Sequence, residues 1–156
     1  MSRIALAQIT SATEKAKNLK LAQELIREAK NKGARMIALP EFLMAFSPTS
    51  QSAEELAQIA EPINGPFVLS LCEAAKNHTI DVVATIYEKC DSRDRVYDTA
   101  LWIGAGCKPV AVFRKLHLYD ALGFKESDKF LAGDEVTAPV KSDVGQCGIM
   151  ICYDLR

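Results

Sequence analysis

The stretch Gly148-Ile149-Met150-Ile151-Cys152-Tyr153-Asp154 carries the strongest architectural signal in this 156-residue sequence. A short continuous apolar run behind a glycine predicts a strand covered on both faces. The side chain at its carboxyl end is Cys152, and strand ends of open α/β sheets are where ligands bind. A free cysteine is, on its own, as readily a small buried hydrophobe. Cys152 therefore acquires chemical meaning only from its company.

Two other segments supply that company. Arg35-Met36-Ile37-Ala38-Leu39-Pro40-Glu41-Phe42 is a second strand-like run, and Pro40, which lacks an N–H and restricts its neighbour, marks where pairing stops. Glu41 thus falls at a strand exit, where a surface or helix-capping role is the ordinary alternative. In Pro109-Val110-Ala111-Val112-Phe113-Arg114-Lys115-Leu116-His117-Leu118-Tyr119-Asp120, an alternating strand runs into Lys115. Lysines at such ends are mostly solvated and need no function. A Glu, a Lys and a Cys, each at a strand exit, are nevertheless the parts of an acyl-transfer site.

Leu39-Pro40-Glu41, Arg114-Lys115-Leu116-His117-Leu118-Tyr119-Asp120 and Cys152-Tyr153-Asp154-Leu155-Arg156 together resemble the three signature blocks of the nitrilase superfamily of carbon-nitrogen hydrolases, in the same order and at similar separations. The resemblance runs through essentially the whole chain. It implies an α/β fold, the α-β-β-α sandwich of that superfamily, of which residues 1–156 are roughly the first half, truncated after the nucleophile strand. It implies that Glu41 is the general base, Lys115 the cation beside the tetrahedral intermediate and Cys152 the nucleophile. Glu126, in Phe124-Lys125-Glu126-Ser127, matches a second glutamate near the site, although a helix-start or surface carboxylate fits it almost as well. The backbone N–H of Tyr153 is implied as the second oxyanion donor. The blocks look more like the amidase branches than the true nitrilases, so small linear amides, including ω-amides of dicarboxylic acids and deaminated glutathione, are the expected substrates. N-carbamoyl amines and nitriles stay open, as does a catalytically silent interaction module.

The chemistry explains the grouping. A free thiol titrates near pH 8.5, so only about 3% is thiolate at pH 7, and a neighbouring ammonium or base is needed to activate it. Negative charge then develops on the amide oxygen, where one positioned donor is worth about 2.7–4 kcal/mol.

Composition narrows the class. With 49% hydrophobic residues, the chain can bury one sizeable core. A net charge of −1 leaves no basic face for nucleic acid. The absence of a membrane-length apolar run or a signal-like start leads to the expectation of a cytoplasmic protein without a membrane partner. The five cysteines, Cys72, Cys90, Cys107, Cys147 and Cys152, form no CxxC pair, which disfavours a disulfide framework and a zinc site. Neither cofactor nor metal is expected. Homo-oligomerisation is, because family members continue well beyond Arg156, and a first half alone would leave edges and apolar faces open to association and would be inactive.

Along the chain, Arg3 to Ile9 reads as a strand. Ser11 with Glu14 reads as a capping box, opening a helix whose apolar face is Ala12, Ala16, Leu19, Ala22, Ile26 and Ala29 and whose stop is Gly33. Ser52 with Glu55 caps a helix to about Ala60, and Asn64-Gly65-Pro66 precedes another through Phe67, Leu71, Cys72 and Ala75. Ile80 to Glu88, Val96 to Ile103 and Pro109 to Phe113 read as strands, and Ala138 to Lys141 and Gln146 to Cys152 bracket a turn at Asp143-Val144-Gly145.

Some residues carry rival readings. His117, two positions from Lys115, raises a Cys-His mechanism against a structural role. His78 suits a helix C-terminus. Asp91, Asp94 and Asp98 lack the pattern of a calcium loop and read as a solvated turn. Trp102 and Phe113 read as core. Phe42, Phe46 and Tyr119 flank the proposed site, as packing or as substrate lining.

Overall fold

In Asp81–Glu88, Val96–Gly104 and Lys108–Arg114, β-branched and aromatic residues alternate in long runs between polar turns, and these become the three central antiparallel strands β3, β4 and β5. The structure, a computed structural model, describes residues 2–155. Ahead of these strands lie β1 (Arg3–Leu6) and β2 (Ala34–Ala38), joined in parallel to one another and to β3. The sheet order is β1-β2-β3-β4-β5, and the later two-residue strand β8 (Phe130–Leu131) adds to β4 in parallel.

Parallel neighbours need crossover connections, and helices supply them. Helix α1 (Lys15–Asn31) links β1 to β2, while α2 (Ala53–Ile59) and α3 (Pro66–His78) link β2 to β3. Helices α1 and α3 pack together, and their apolar stripes, including Ile26, Leu71 and Ala75, close a core with Ile37, Val82, Ala84, Ile86, Leu101 and Ile103. Strand side chains alternate between faces. Met36, Ala100, Trp102, Ala111 and Phe113 accordingly form a second apolar cluster on the other face of the sheet, joined by Ile149 and Ile151. Trp102 and Phe113 are core, as expected, and the Trp102 indole N–H donates to Asp81 at 3.0 Å. Exposed apolar side chains remain on the edge strand β1 (Leu6), on β5 (Val110) and at Met150.

Ser52 and Glu55 form the expected reciprocal cap of α2, and Thr79 closes α3 in the left-handed conformation. Three expectations fail. Strand β1 ends at Leu6, three residues early. The capping box at Ser11 does not form: α1 begins after Glu14, because the Asn18 amide binds both the N–H and the carbonyl of Ala12 and holds that residue outside the helix. Asn18 thereby occupies the buried stripe with Ala22, Ile26 and Ala29.

The third failure concerns the opening stretch. Residues 140–147 form a hairpin of β9 (Val140–Ser142) and β10 (Gly145–Cys147), and the strand stops there rather than continuing to Cys152. Gly148 to Ile151 has one face covered, with Ile149 and Ile151 buried and Met150 58% exposed. A strand is defined by its pairing, and among the described residues no strand lies alongside this segment. A second short hairpin, β6 (Asp120–Ala121) with β7 (Phe124–Lys125), projects between β5 and β8 and leads into a single 3₁₀ turn at Glu126–Asp128.

Candidate active site

Where β2 ends, the chain turns sharply through Leu39-Pro40-Glu41-Phe42, and Phe42 takes a φ of 58°. Such a conformation is unusual for a bulky residue and persists only where its surroundings over-determine it. The surroundings are explicit. Thr85 donates its hydroxyl to the Pro40 carbonyl at 3.0 Å and accepts the Leu43 N–H at 3.2 Å, and the Tyr87 hydroxyl donates to the Ala45 carbonyl at 2.6 Å. Asn18 reaches the Met44 carbonyl from α1. The Phe42 ring packs against Tyr87 and Phe130. Glu41 is thereby presented from a rigid turn.

Lys115 follows β5 and is 1% exposed. The ordinary reading of a solvated strand-end lysine does not apply here, because the ammonium lies between two carboxylates. Its Nζ donates to Glu41 Oε1 at 2.8 Å and lies 3.0 and 2.9 Å from Glu126 Oε1 and Oε2. Burial works to lower the Lys115 pKa, but the hydrogen bonds and charges of Glu41 and Glu126 outweigh it and raise the group above its ordinary value. Glu126 in turn accepts the Tyr119 N–H at 2.7 Å, which ties it to the connection after Lys115. Gly133 completes the support. Its N–H donates to the Lys115 carbonyl at 2.8 Å, and a Cβ there would lie 2.5 Å from the Arg114 carbonyl oxygen, so only glycine permits this approach.

Cys152 opens a 3₁₀ turn, Cys152–Leu155, with a φ of 45°. A non-glycine residue in the left-handed region at a sharp turn is the arrangement of a nucleophile elbow. The turn is fastened by Asp154, whose side chain is 3% exposed. Asp154 Oδ1 accepts the N–H groups of Leu116 and His117 at 3.1 and 2.8 Å, and Oδ2 accepts the Ile151 N–H at 3.2 Å. One carboxylate thus clips the segment after Lys115 to the segment before Cys152. The ring of His117 adds a contact from Nδ1 to Asp154 Oδ1 at 2.9 Å, while its side chain is 61% exposed. The Cys152 thiol is pushed up by partial burial and then by the Glu41 charge, with Lys115 pulling the other way. Lys115 thus acts on the thiol in the expected direction, but burial and the Glu41 charge outweigh it. Tyr153 stacks edge-on against Tyr119 at 5.2 Å, and Phe46 stays 47% exposed nearby in sequence.

Glu41, Lys115, Glu126 and Cys152, drawn from four separate parts of the chain, are thus assembled in one place. Residues 3–156 match the carbon-nitrogen hydrolase family. The chain belongs to that family. Among its relatives, a hydrolase of Mycobacterium tuberculosis is 36% identical over 99% of this chain and 53% of its own length. The chloroplastic omega-amidase of Arabidopsis thaliana is 34% identical over 98% of this chain and 42% of its own. The solved NitFhit protein of C. elegans superposes with a TM-score of 0.88 at 28% identity, over 100% of this chain and 40% of that one. Saccharomyces cerevisiae Nit3, of the nitrilase superfamily, gives 0.81 at 26% identity over 98% and 56%. The fold is accordingly the α/β fold of the nitrilase superfamily, and the chain spans about half the length of the curated relatives it matches.

Two residues that contribute to this site were missed or misread in the sequence. Asp154 was visible only as part of a motif, without a role. Asp98 was placed in a solvated turn, yet it lies within β4, 2% exposed and directly across from Tyr87. The signal was available: an aspartate inside the otherwise strand-like Val96-Tyr97-Asp98-Thr99-Ala100-Leu101-Trp102-Ile103 is a buried polar group, and such groups require an explanation. Among the described residues, no cluster of side chains suited to a metal ion occurs, and no helix is long and apolar enough to cross a membrane.

Proposed function

We propose that this chain carries the catalytic residues of an amidase that hydrolyses a small linear amide to a carboxylate and ammonia through a thioester on Cys152. The observation that carries this reading is the buried Lys115 ammonium held between Glu41 and Glu126 beside a cysteine in a strained turn. A thiol raised by its surroundings rests protonated, so attack requires a base at hand, and Glu41 is that base. Glu41 takes the thiol proton as Sγ adds to the amide carbon. The oxyanion forms against the Lys115 ammonium and the Tyr153 N–H, which belongs to the leading turn of a short helix and lacks an acceptor within it. Glu41 then returns the proton to the departing amine, leaving the thioester. It next takes a proton from a water whose oxygen adds to the thioester carbon; the C–S bond breaks, the proton passes from Glu41 to the departing Cys152 sulfur, and the carboxylate product leaves. Glu126 keeps Lys115 charged and oriented, and Tyr119 borders the substrate.

The amidase names of relatives, omega-amidase in Arabidopsis and deaminated glutathione amidase in Bos taurus, support small linear amides as the substrate class. N-carbamoyl amines and nitriles are the neighbouring alternatives. A Cys-His mechanism has less support. His117 is turned to Asp154, and the groups that perturb Cys152 are Glu41, Lys115 and Glu126. A homo-oligomer is the setting we infer, from the exposed apolar side chains of β1 and β5.

Acid-quenched intact mass spectrometry during turnover of a slow amide tests the proposal. The acyl mass should map to the peptide containing Cys152 and vanish in Cys152→Ala together with ammonia release. Turnover surviving in Cys152→Ala would overturn it.

A further inference from the structure

Asp98 poses a problem that the amide-hydrolysis mechanism leaves unanswered. Both of its carboxyl oxygens are buried without any hydrogen-bond partner among the resolved donors, in a strand whose backbone at the same residue accepts the Lys115 N–H at 2.9 Å. Leaving an ionised carboxylate so placed would be prohibitively costly. The groups that face it are Glu41, Glu126, Lys115 and Tyr87. Tyr87 cannot help, since its hydroxyl donates to the Ala45 carbonyl. Lys115 is already engaged by Glu41 and Glu126. One ammonium among three carboxyl groups leaves the cluster short of a positive charge, and a retained proton is the remedy that needs no further residue.

The location of that proton follows from geometry. Glu41 and Glu126 each have Lys115 as a donor, and Glu126 has the Tyr119 N–H besides. Asp98 has none, and the charged group that acts on it most strongly, through both its charge and a side-chain hydrogen bond, is the Glu41 carboxylate. Two ionised carboxylates in contact present only acceptors to each other, whereas one shared proton turns the contact into a donor and an acceptor. Burial first, then the Glu41 charge, hold Asp98 well above the usual carboxylate range, in agreement with this assignment.

We propose that Asp98 is a positioning residue for the base: it stands as the neutral acid and donates its O–H to the Glu41 carboxylate, fixing that group's orientation while Lys115 holds its other side. Glu41 is thereby aimed, and it exchanges protons with the thiol and the leaving amine without surrendering its place. This role rests on the reading of Glu41 as the base of the amidase. The proton on Asp98 can be detected without any substrate.

Two measurements test it. Infrared difference spectra of the purified protein at pH 7 should contain the carbonyl stretch of a protonated carboxylic acid, and that band should disappear in Asp98→Asn and persist in Glu126→Gln. A wild-type spectrum without the band, or a band that survives in Asp98→Asn, would overturn the assignment even if no amide were ever turned over. For turnover, Asp98→Asn should stay within about threefold of wild type in kcat, because the amide N–H replaces the acid O–H as donor. Asp98→Ala should lose about tenfold or more in kcat at nearly constant KM, the scale of a hydrogen bond to a charged group. Equal losses in the Asn and Ala variants would show that a transferable proton or a charge is required, and an unaffected Ala variant would show that no positioning is needed. Either result refutes the proposal. Should Asp98→Ala fail to fold, the infrared band and the Asn variant decide the question.

Discussion

The turn that presents Glu41 and the turn that presents Cys152 are both strained at one residue, but they are held in different ways. The Glu41 turn is fastened from beneath by Thr85, Tyr87 and Asn18, which come from two strand positions and a helix, and it lies over the main core. The Cys152 turn follows an extended segment with one covered face, and among the described residues a single carboxylate, Asp154, supplies its side-chain hydrogen bonds. The side-chain hydrogen bonds that fix the base are therefore spread over three residues, whereas those that fix the nucleophile come from one. Lys115 joins the two, since its side chain binds Glu41 and its successor residues bind Asp154.

Removing that junction should have the largest effect. Lys115→Met would leave Glu41 and Glu126 as uncompensated carboxylates in a buried site, and loss of one partner of such a cluster costs about 3–5 kcal/mol. Denaturant unfolding should register that loss, and kcat should fall by at least about 10². A stability change below 1 kcal/mol would mean that the cluster is far more hydrated than its burial implies. Next, Asp154→Ala should strand the Ile151 and Leu116 N–H groups at about 1–3 kcal/mol. Hydrogen exchange should accelerate at 116–117 and 148–155 and stay unchanged at 41–45. Asn18→Ala should do the reverse, costing about 1–3 kcal/mol and loosening 41–45 alone. If either variant loosened both turns, the two would be one cooperative unit and the distinction would collapse.

Thiol chemistry sharpens the contrast further. Because the Glu41 charge raises the Cys152 thiol, Glu41→Gln should lower that pKa and speed alkylation of Cys152 at neutral pH while slowing turnover. Lys115→Met should slow both. A smaller effect concerns stability against pH. Asp98 is held above its unfolded value, so its favourable contribution is complete below the unfolded pKa, near 3.9, and is lost as pH rises through the folded pKa. Asp98→Asn lacks that dependence, and its melting temperature should gain on wild type progressively from pH 5 to pH 8.

Local patterning made the sheet legible. The alternation in β3, β4 and β5, the Ser52–Glu55 box and the Asn64-Gly65-Pro66 break are decisions taken within a few residues, and they appear where the sequence puts them. The failures belong to interactions from afar. Nothing near Ser11 reveals that Asn18 will hold Ala12 out of α1. An apolar run such as Gly148 to Ile151 looks the same whether or not a neighbouring strand exists to pair with it. Asp98 was misjudged by averages over exposed aspartates, whereas its surroundings are decided by partners many residues away. Glu41, Lys115, Glu126 and Cys152 were recognised through motif resemblance, and the Asp154 clip and the Thr85 and Tyr87 supports carried no local mark of their role.

The order in which these pieces can form is set by how far apart they lie along the chain. Strands β3, β4 and β5 are joined by short turns and can zip up early, whereas Glu41 and Lys115 are 74 residues apart and meet only once β2 has docked on β3. The charges of the site are thus withdrawn from water near the end of folding, when the surrounding walls already exist. A chain stalled before that step would keep most of its antiparallel sheet, with an ordinary solvated lysine and three ordinary carboxylates in place of the buried cluster. Its Lys115 amine would then react freely with acylating reagents, so the modification rate at that one residue reports how many molecules have completed the final docking.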